Sequence, residues 1–193
     1  VSAEPYSLRV IQMGEETWRV EVSGAPGLDN LMERGNVESN EALDLWLHDV
    51  GDKFLLVTYH PVTLDSSDTG SQIDELLSAL DQSGFPVLFT YPNADADNRV
   101  IIDKINEYQA DSANVRVEAN LGLDRFFDLM GRAAGMVGNS SSGIIEAASF
   151  GLPVVNIGIR QKGRIQAKNV LDVVCKRAQI LSAVNDAVSP GFK

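Results

Sequence analysis

The sequence predicts an α/β fold, a parallel sheet with helices on both faces. Three observations predict it. Short apolar runs recur along the chain, as expected of strands covered on both sides. Between them lie stretches of about a dozen residues with apolar side chains at helical spacing. Glycine, proline and small polar residues punctuate the junctions. Such alternation builds right-handed βαβ units and therefore a parallel sheet.

The first 39 residues are the least regular and read as a hinge segment ahead of a main domain at residues 40–193. Tyr6–Glu15 is expected as a short helix ending near Gly14. Trp18–Leu31 reads as an alternating strand, a Gly/Pro turn and a helix start near Asp29. From Ser39 the rhythm becomes regular. Leu43, Leu45, Leu47 and Val50 mark a helix that Gly51 stops. Lys53–His60 (KFLLVTYH) is a continuous strand-like run. A helix follows from about Ser71 to Gln82, closed by Gly84. Phe85–Asn93 is a strand and Asn98–Tyr108 a helix, with Val100, Ile101, Ile105 and Tyr108 on one side. Asn114–Leu121 is a strand and Leu123–Ala133 a helix. Then come a short strand (GMVGN), a helix over Ser142–Gly151, a strand (PVVNIG), a further strand (NVLDV) and a last helix, Lys176–Val188.

Composition narrows the function classes. The chain has 193 residues with 44% hydrophobic content and a net charge of −11, from 16 basic and 27 acidic residues. A surface for nucleic acid or anionic membrane needs a net basic face, so neither partner is expected. No apolar run approaches the roughly 18 residues of a membrane span, and the N-terminus lacks a secretory pattern. One cysteine, Cys175, fits a cytoplasmic setting. With two histidines and one cysteine, a Cys/His zinc site is not expected, and no metal or cofactor is required. The glycine-rich stretches match neither the dinucleotide nor the P-loop fingerprint, and there is no nucleophile elbow.

In a parallel α/β sheet, ligands bind beyond the carboxyl ends of the strands. His60 ends the first apolar run, just before Pro61. It reads either as a satisfied strand-end histidine or as a catalytic group, donating to phosphate or exchanging a proton near neutral pH. His48 reads as a surface residue. Asn93 follows the second run, and backbone groups around Leu121 follow the third. Ser140, Ser141 and Ser142 lie between a strand and a helix, where free N–H groups and the helix dipole attract phosphate. The serines could also simply cap the helix. Gly143 would let a ligand approach the backbone. Glu146, on an otherwise apolar helix, would be repelled by a diphosphate and suits a pair of ribose hydroxyls. Its alternative is a solvent-facing carboxylate. Arg160 follows the fifth run and forms a basic cluster with Lys162 and Arg164. Asp65, Ser66, Ser67 and Asp68 read as a solvated turn.

The stretches VTYHPVT, YPNADADNRV and above all VGNSSSGIIEAASFGLPVVNIGIRQKGR resemble the hydrolysing UDP-N-acetylglucosamine 2-epimerases of sialic-acid and related sugar pathways. RVIQMGE and VEVSGAPGLDNL resemble the segment joining that family's two domains. The resemblance implies the C-terminal, Rossmann-like half of a two-domain GT-B fold. It implies conversion of UDP-N-acetylglucosamine and water to UDP and N-acetylmannosamine, by elimination of UDP and hydration of the glycal. It places His60 and Asn93 toward the diphosphate and nucleotide, backbone near Leu121 on uracil, and Ser140 and Ser141 on phosphate oxygens. Glu146 goes to the ribose and Arg160 to the phosphate side. The family's carboxylates for the C2 proton lie mostly in an N-terminal domain not represented in this sequence, so the chain alone is expected to bind UDP without turnover. A homodimer is expected only of the full-length enzyme. Three alternatives stay open: the donor half of a GT-B glycosyltransferase, a non-hydrolysing epimerase, and a non-catalytic UDP-sugar-binding module.

Overall fold

The structure, a computed structural model, describes residues 1–33, 35–62 and 68–192. The chain divides into two compact units, Val1–Asn36 and Val37–Lys193.

The first unit is helical. Helix α1 spans Glu4–Gln12, with proline in its first turn, where a missing N–H costs nothing. The alternation expected after Trp18 does not become a strand. Thr17–Arg19 and Pro26–Leu31 are 3₁₀ turns. A strand needs a neighbour to take its backbone N–H and C=O groups. Here Ser23 N–H donates to the Val1 carbonyl at 3.0 Å, and the Val1 ammonium donates to the Glu21 carbonyl at 2.8 Å. Trp18 stays exposed, with the Arg19 guanidinium 4.7 Å from its ring centroid.

The second unit is the predicted α/β domain. Its elements run α2 (Glu41–Val50), β1 (Leu55–Thr58), α3 (Thr69–Ser83), β2 (Val87–Thr90), α4 (Asn98–Ala110), β3 (Val115–Glu118) and α5 (Leu123–Arg132). They continue with β4 (Gly135–Gly138), α6 (Ser142–Ile145), a 3₁₀ turn (Ala147–Phe150), β5 (Val154–Ile157), β6 (Val170–Val173) and α7 (Arg177–Ala187). The Asn40 side chain caps α2 by accepting from Leu43 N–H at 3.1 Å. Asp68 caps α3 by accepting from Ser71 N–H at 2.9 Å, so the end of the expected solvated turn is a helix cap. Asp65, Ser66 and Ser67 lie outside the described residues.

All strand pairs are parallel, in the order β3-β2-β1-β4-β5-β6. Alternation along each strand feeds two faces. Leu55, Val57, Val87, Phe89, Val137 and Val155 join residues of α3, α4 and α7 in one continuous core. Leu56, Leu88, Met136 and Val154, in register across four strands, are buried on the opposite face. Trp46 of α2 meets Phe54 edge-on at 6.0 Å there.

The helix expected over Ser142–Gly151 is broken. One α-turn ends at Ile145, and Ala147–Phe150 tightens into 3₁₀ geometry. The tighter turn keeps Ala147 buried and brings Phe150 within 5.9 Å of Phe127. Gly143 is buried against β5, where a Cβ would meet Val154 Cγ1 at 2.9 Å. That glycine admits a strand side chain.

Among the described glycines, Gly138 has the least room for a side chain. Its φ is +139°, and a Cβ would lie 2.0 Å from the Thr58 carbonyl oxygen. Gly138→Ala should therefore cost about 3 kcal/mol or more, through backbone strain and overlap with main chain that cannot move aside. Gly84→Ala, where φ is +70° but no atom lies within 4 Å, should cost only about 1–2 kcal/mol. Urea unfolding of both variants checks this, and equal losses would contradict it.

Candidate functional site

In this sheet the strand order reverses between β1 and β4. Crossovers leave in opposite directions there, and the gap beyond the two strand ends is the expected ligand crevice. A cleft of about 410 Å³ occupies that position. Thr58 and His60 line it from the end of β1, Tyr91 and Asn93 from beyond β2, and Asn120 and Leu121 from beyond β3. Ser140–Ser142 line it after β4, and Arg160 after β5. Among the described residues its lining includes one arginine and no carboxylate, in a chain of net charge −11.

The fold thus brings together His60, Asn93, Leu121, Ser140, Ser141 and Arg160 from five strand ends. Gly143 and Glu146 are not in the lining. Gly143 turns toward Val154, as above. Glu146 is half-buried beside Ser142, and burial raises its pKa, offset in part by the Ser142 hydroxyl. Its Oε2 is buried without a hydrogen-bond partner. Lys162 and Arg164 are exposed and outside the lining, so the basic cluster contributes only Arg160.

With α6 reduced to four residues, few peptide dipoles align behind the serines, and the expected macrodipole is weak. Individual donors remain. Ser141 makes no side-chain capping bond, which removes the simple capping alternative for that residue. Ser140 Oγ accepts from Ser142 N–H at 3.3 Å, which leaves its own hydroxyl proton to donate. Among the described residues, no backbone carbonyl takes the N–H of Ser140 or Ser141.

His60 is 4% exposed, and its Nδ1 accepts from Asn93 N–H at 3.0 Å. That bond fixes the neutral tautomer with its proton on Nε2. Burial first, and then the Arg160 charge, push the His60 pKa down to about 4, against a smaller raising effect from Asp95. The near-neutral titration expected from the sequence is therefore absent. His60 faces the cleft as an uncharged donor. Arg160 Nη1 donates to the Asn139 carbonyl at 3.2 Å, and Nη2 lies 4.0 Å from Asp95 Oδ2.

Four contributors were missed from sequence. Phe126, half-buried at the start of α5, lines the cleft beside Leu121. Asp95 is the counter-ion of Arg160. Asn139 and Gln161, 0% and 2% exposed, lie behind the lining. A signal for Asn139 existed, because a fully buried amide at a strand end must find partners. Among the described residues, no group of three or more His, Cys, Asp and Glu converges as metal ligands would. No helix among them is long and apolar enough to cross a membrane.

The pattern of the UDP-N-acetylglucosamine 2-epimerase family matches residues 1–192. The chain belongs to this family. It is similar to a Legionella pneumophila UDP-N,N'-diacetylbacillosamine 2-epimerase (hydrolyzing), at 34% identity over 98% of this chain and 50% of the relative. A Campylobacter jejuni GDP/UDP-N,N'-diacetylbacillosamine 2-epimerase (hydrolyzing) is 38% identical over 89% of this chain and 45% of the relative. The chain spans about half the length of these curated relatives and matches their C-terminal half. Among solved structures, an S. aureus MnaA-UDP co-structure superposes with a TM-score of 0.72 at 16% identity, over 95% of this chain and 48% of that one. At that identity the likeness concerns the fold.

The neutral state of His60 has a pH signature. A histidine whose folded pKa is depressed contributes stability above its unfolded value and loses it as pH falls toward the folded value. The unfolding free energy of the parent minus that of His60→Gln should be constant above pH 6.5 and decline from about 6.5 to about 4. Paired urea titrations measure the difference and cancel other groups. A flat difference across that window would show that the imidazole titrates normally.

Proposed function

We propose that this chain is the UDP-holding half of a hydrolysing 2-epimerase acting on a UDP-linked N-acetyl sugar. The observation that carries the reading is the charge pattern of the cleft: among the described residues, one arginine, several uncharged donors and no carboxylate, in an acidic chain. An anion is favoured in such a lining. One hydrolysing relative carries a UDP-sugar 2-epimerase name and the other a GDP/UDP-sugar name, which supports a nucleoside diphosphate as that anion, with uridine common to both.

The residues divide the nucleotide between them. Arg160, the His60 Nε2–H and the Ser140 and Ser141 donors meet the diphosphate. Asn93 supports the same region through its bond to His60. Backbone around Leu121 holds uracil, with Phe126 offering an apolar surface to the base. Glu146 would reach the ribose only if the ligand draws it toward the cleft. In the proposed reaction the C2 proton leaves and the C1–O bond to UDP breaks, giving a glycal. Water then adds to give the free sugar, inverted at C2. The part of this chain is to stabilise the leaving diphosphate. It does so with fixed donors that need no reorganisation as charge develops. The carboxylates for the C2 proton belong, by family resemblance, to the other half, so this chain releases no sugar alone.

Isothermal titration tests the reading. UDP should bind the parent chain, and Arg160→Ala should weaken it roughly 10- to 150-fold, the range for a charged hydrogen bond. No heat with millimolar UDP, or an unaffected Arg160→Ala, would refute it, as would N-acetylmannosamine release by the chain alone. Asp95 competes with the ligand for Arg160. Asp95→Asn should tighten UDP binding roughly two- to fivefold, the worth of an exposed ion pair, and weaker binding would contradict the competition.

A further inference from the structure

Five hydrogen bonds converge on Asn139, a residue with no surface exposure. Its side-chain Oδ1 accepts from His60 N–H at 2.7 Å, and its Nδ2 donates to the His60 carbonyl at 2.8 Å. Its own N–H donates to the Thr58 carbonyl at 3.2 Å. Its carbonyl accepts from Arg160 Nη1 at 3.2 Å and from Gln161 Nε2 at 2.7 Å.

The arrangement solves a problem at the sheet's rim. Pairing of β1 with β4 ends at Thr58 and Gly138, where Gly138 turns away at φ +139°. The backbone of His60 lies two residues beyond the last paired residue and would lack a ladder partner. The Asn139 amide presents one acceptor and one donor, as a strand residue would, and continues the ladder through a side chain. Pro61, which follows, has no N–H to contribute. The carbonyl of the same residue holds the loop after β5, with Gln161 buried beneath and Arg160 above.

We propose that Asn139 is a positioning residue that fixes both His60 and Arg160 in the lining of the cleft. It touches no ligand itself. It acts by holding the His60 main chain where Nδ1 meets Asn93 N–H and the ring lines the cleft, and by holding the Arg160 guanidinium in the same lining. That the fixed geometry serves a diphosphate rests on the reading given under the proposed function. No alternative side chain reproduces the bonding pattern. Aspartate keeps the acceptor but sets a carboxylate oxygen against the His60 carbonyl, and alanine removes both bonds.

The two histidines make the test clean. His48 is a reference, with an 85% exposed side chain, and the imidazole nitrogens of His60 report on the clamp. Long-range ¹H–¹⁵N spectra and UDP titrations are recorded for the parent, Asn139→Ala and Asn139→Asp. In the parent, His60 shows a single Nε2–H tautomer with a hydrogen-bonded Nδ1. In both variants His60 should average between tautomers, His48 should not change, and UDP affinity should fall at least tenfold. A folded variant that keeps the parent's His60 nitrogens, or binds UDP within twofold of the parent, overturns the proposal. If Asn139→Ala does not fold, the isosteric Asn139→Asp carries the test. If neither folds, Asn139 is scaffold only and the proposal fails. Should the parent ignore UDP, the diphosphate reading fails while the His60 nitrogens still decide the clamp.

Discussion

Where β4 runs out beside β1, the two backbones come so close that only hydrogen fits on the Cα of residue 138. Everything proposed for the cleft depends on that approach. It lets Asn139 N–H reach the Thr58 carbonyl and puts the Asn139 amide against both backbone groups of His60. It also sets the serine turn directly across from the end of β1. A side chain at residue 138 would push the strands apart at the point where the crevice opens. The site is thus a consequence of strand packing in the middle of the sheet, extended by one buried amide to its rim.

The electrostatics follow from the same packing. Burial keeps His60 neutral, and the Asn93 N–H settles which nitrogen carries the proton. A buried imidazolium beside Arg160 would face both desolvation and like-charge repulsion. The cleft therefore offers one full positive charge and a ring of uncharged donors. Such a lining favours an anion over a cation. Asp95, 4.0 Å from the guanidinium, occupies Arg160 when no ligand is present.

Much of this was legible in the sequence. The runs around Leu55, Val87, Val115, Met136 and Val154 became the strands because a strand covered on both faces must be apolar throughout. In a parallel sheet all carboxyl ends share one rim, so His60, Asn93, Leu121, Ser140 and Arg160 had to converge once the strands were found. The alternation after Trp18 failed as a strand because periodicity describes faces and not partners. The helix through Glu146 failed because its apolar pattern could not reveal the demand of Phe150 for Phe127. The packing of Gly143 against Val154 is set by the approach of β5, which residue type alone does not reveal.

The sequence by itself determined the layering, the direction of the strands and the rim where ligands belong, and with its glycine at 138 it permitted the close approach of β4 to β1. These properties are local or periodic, set by hydrophobic spacing and backbone freedom within a few residues. Only the tertiary structure decided the charge state of His60, the pairing of Arg160 with Asp95, and the central place of Asn139. Each depends on burial and on hydrogen-bond partners 21 to 79 residues away, and side-chain type alone specifies neither distance nor solvent. The same asparagine on an exposed loop would have been an ordinary polar residue. Enclosed between two strand ends, its unmet hydrogen-bonding capacity had to be satisfied, and His60 and Arg160 are what satisfied it.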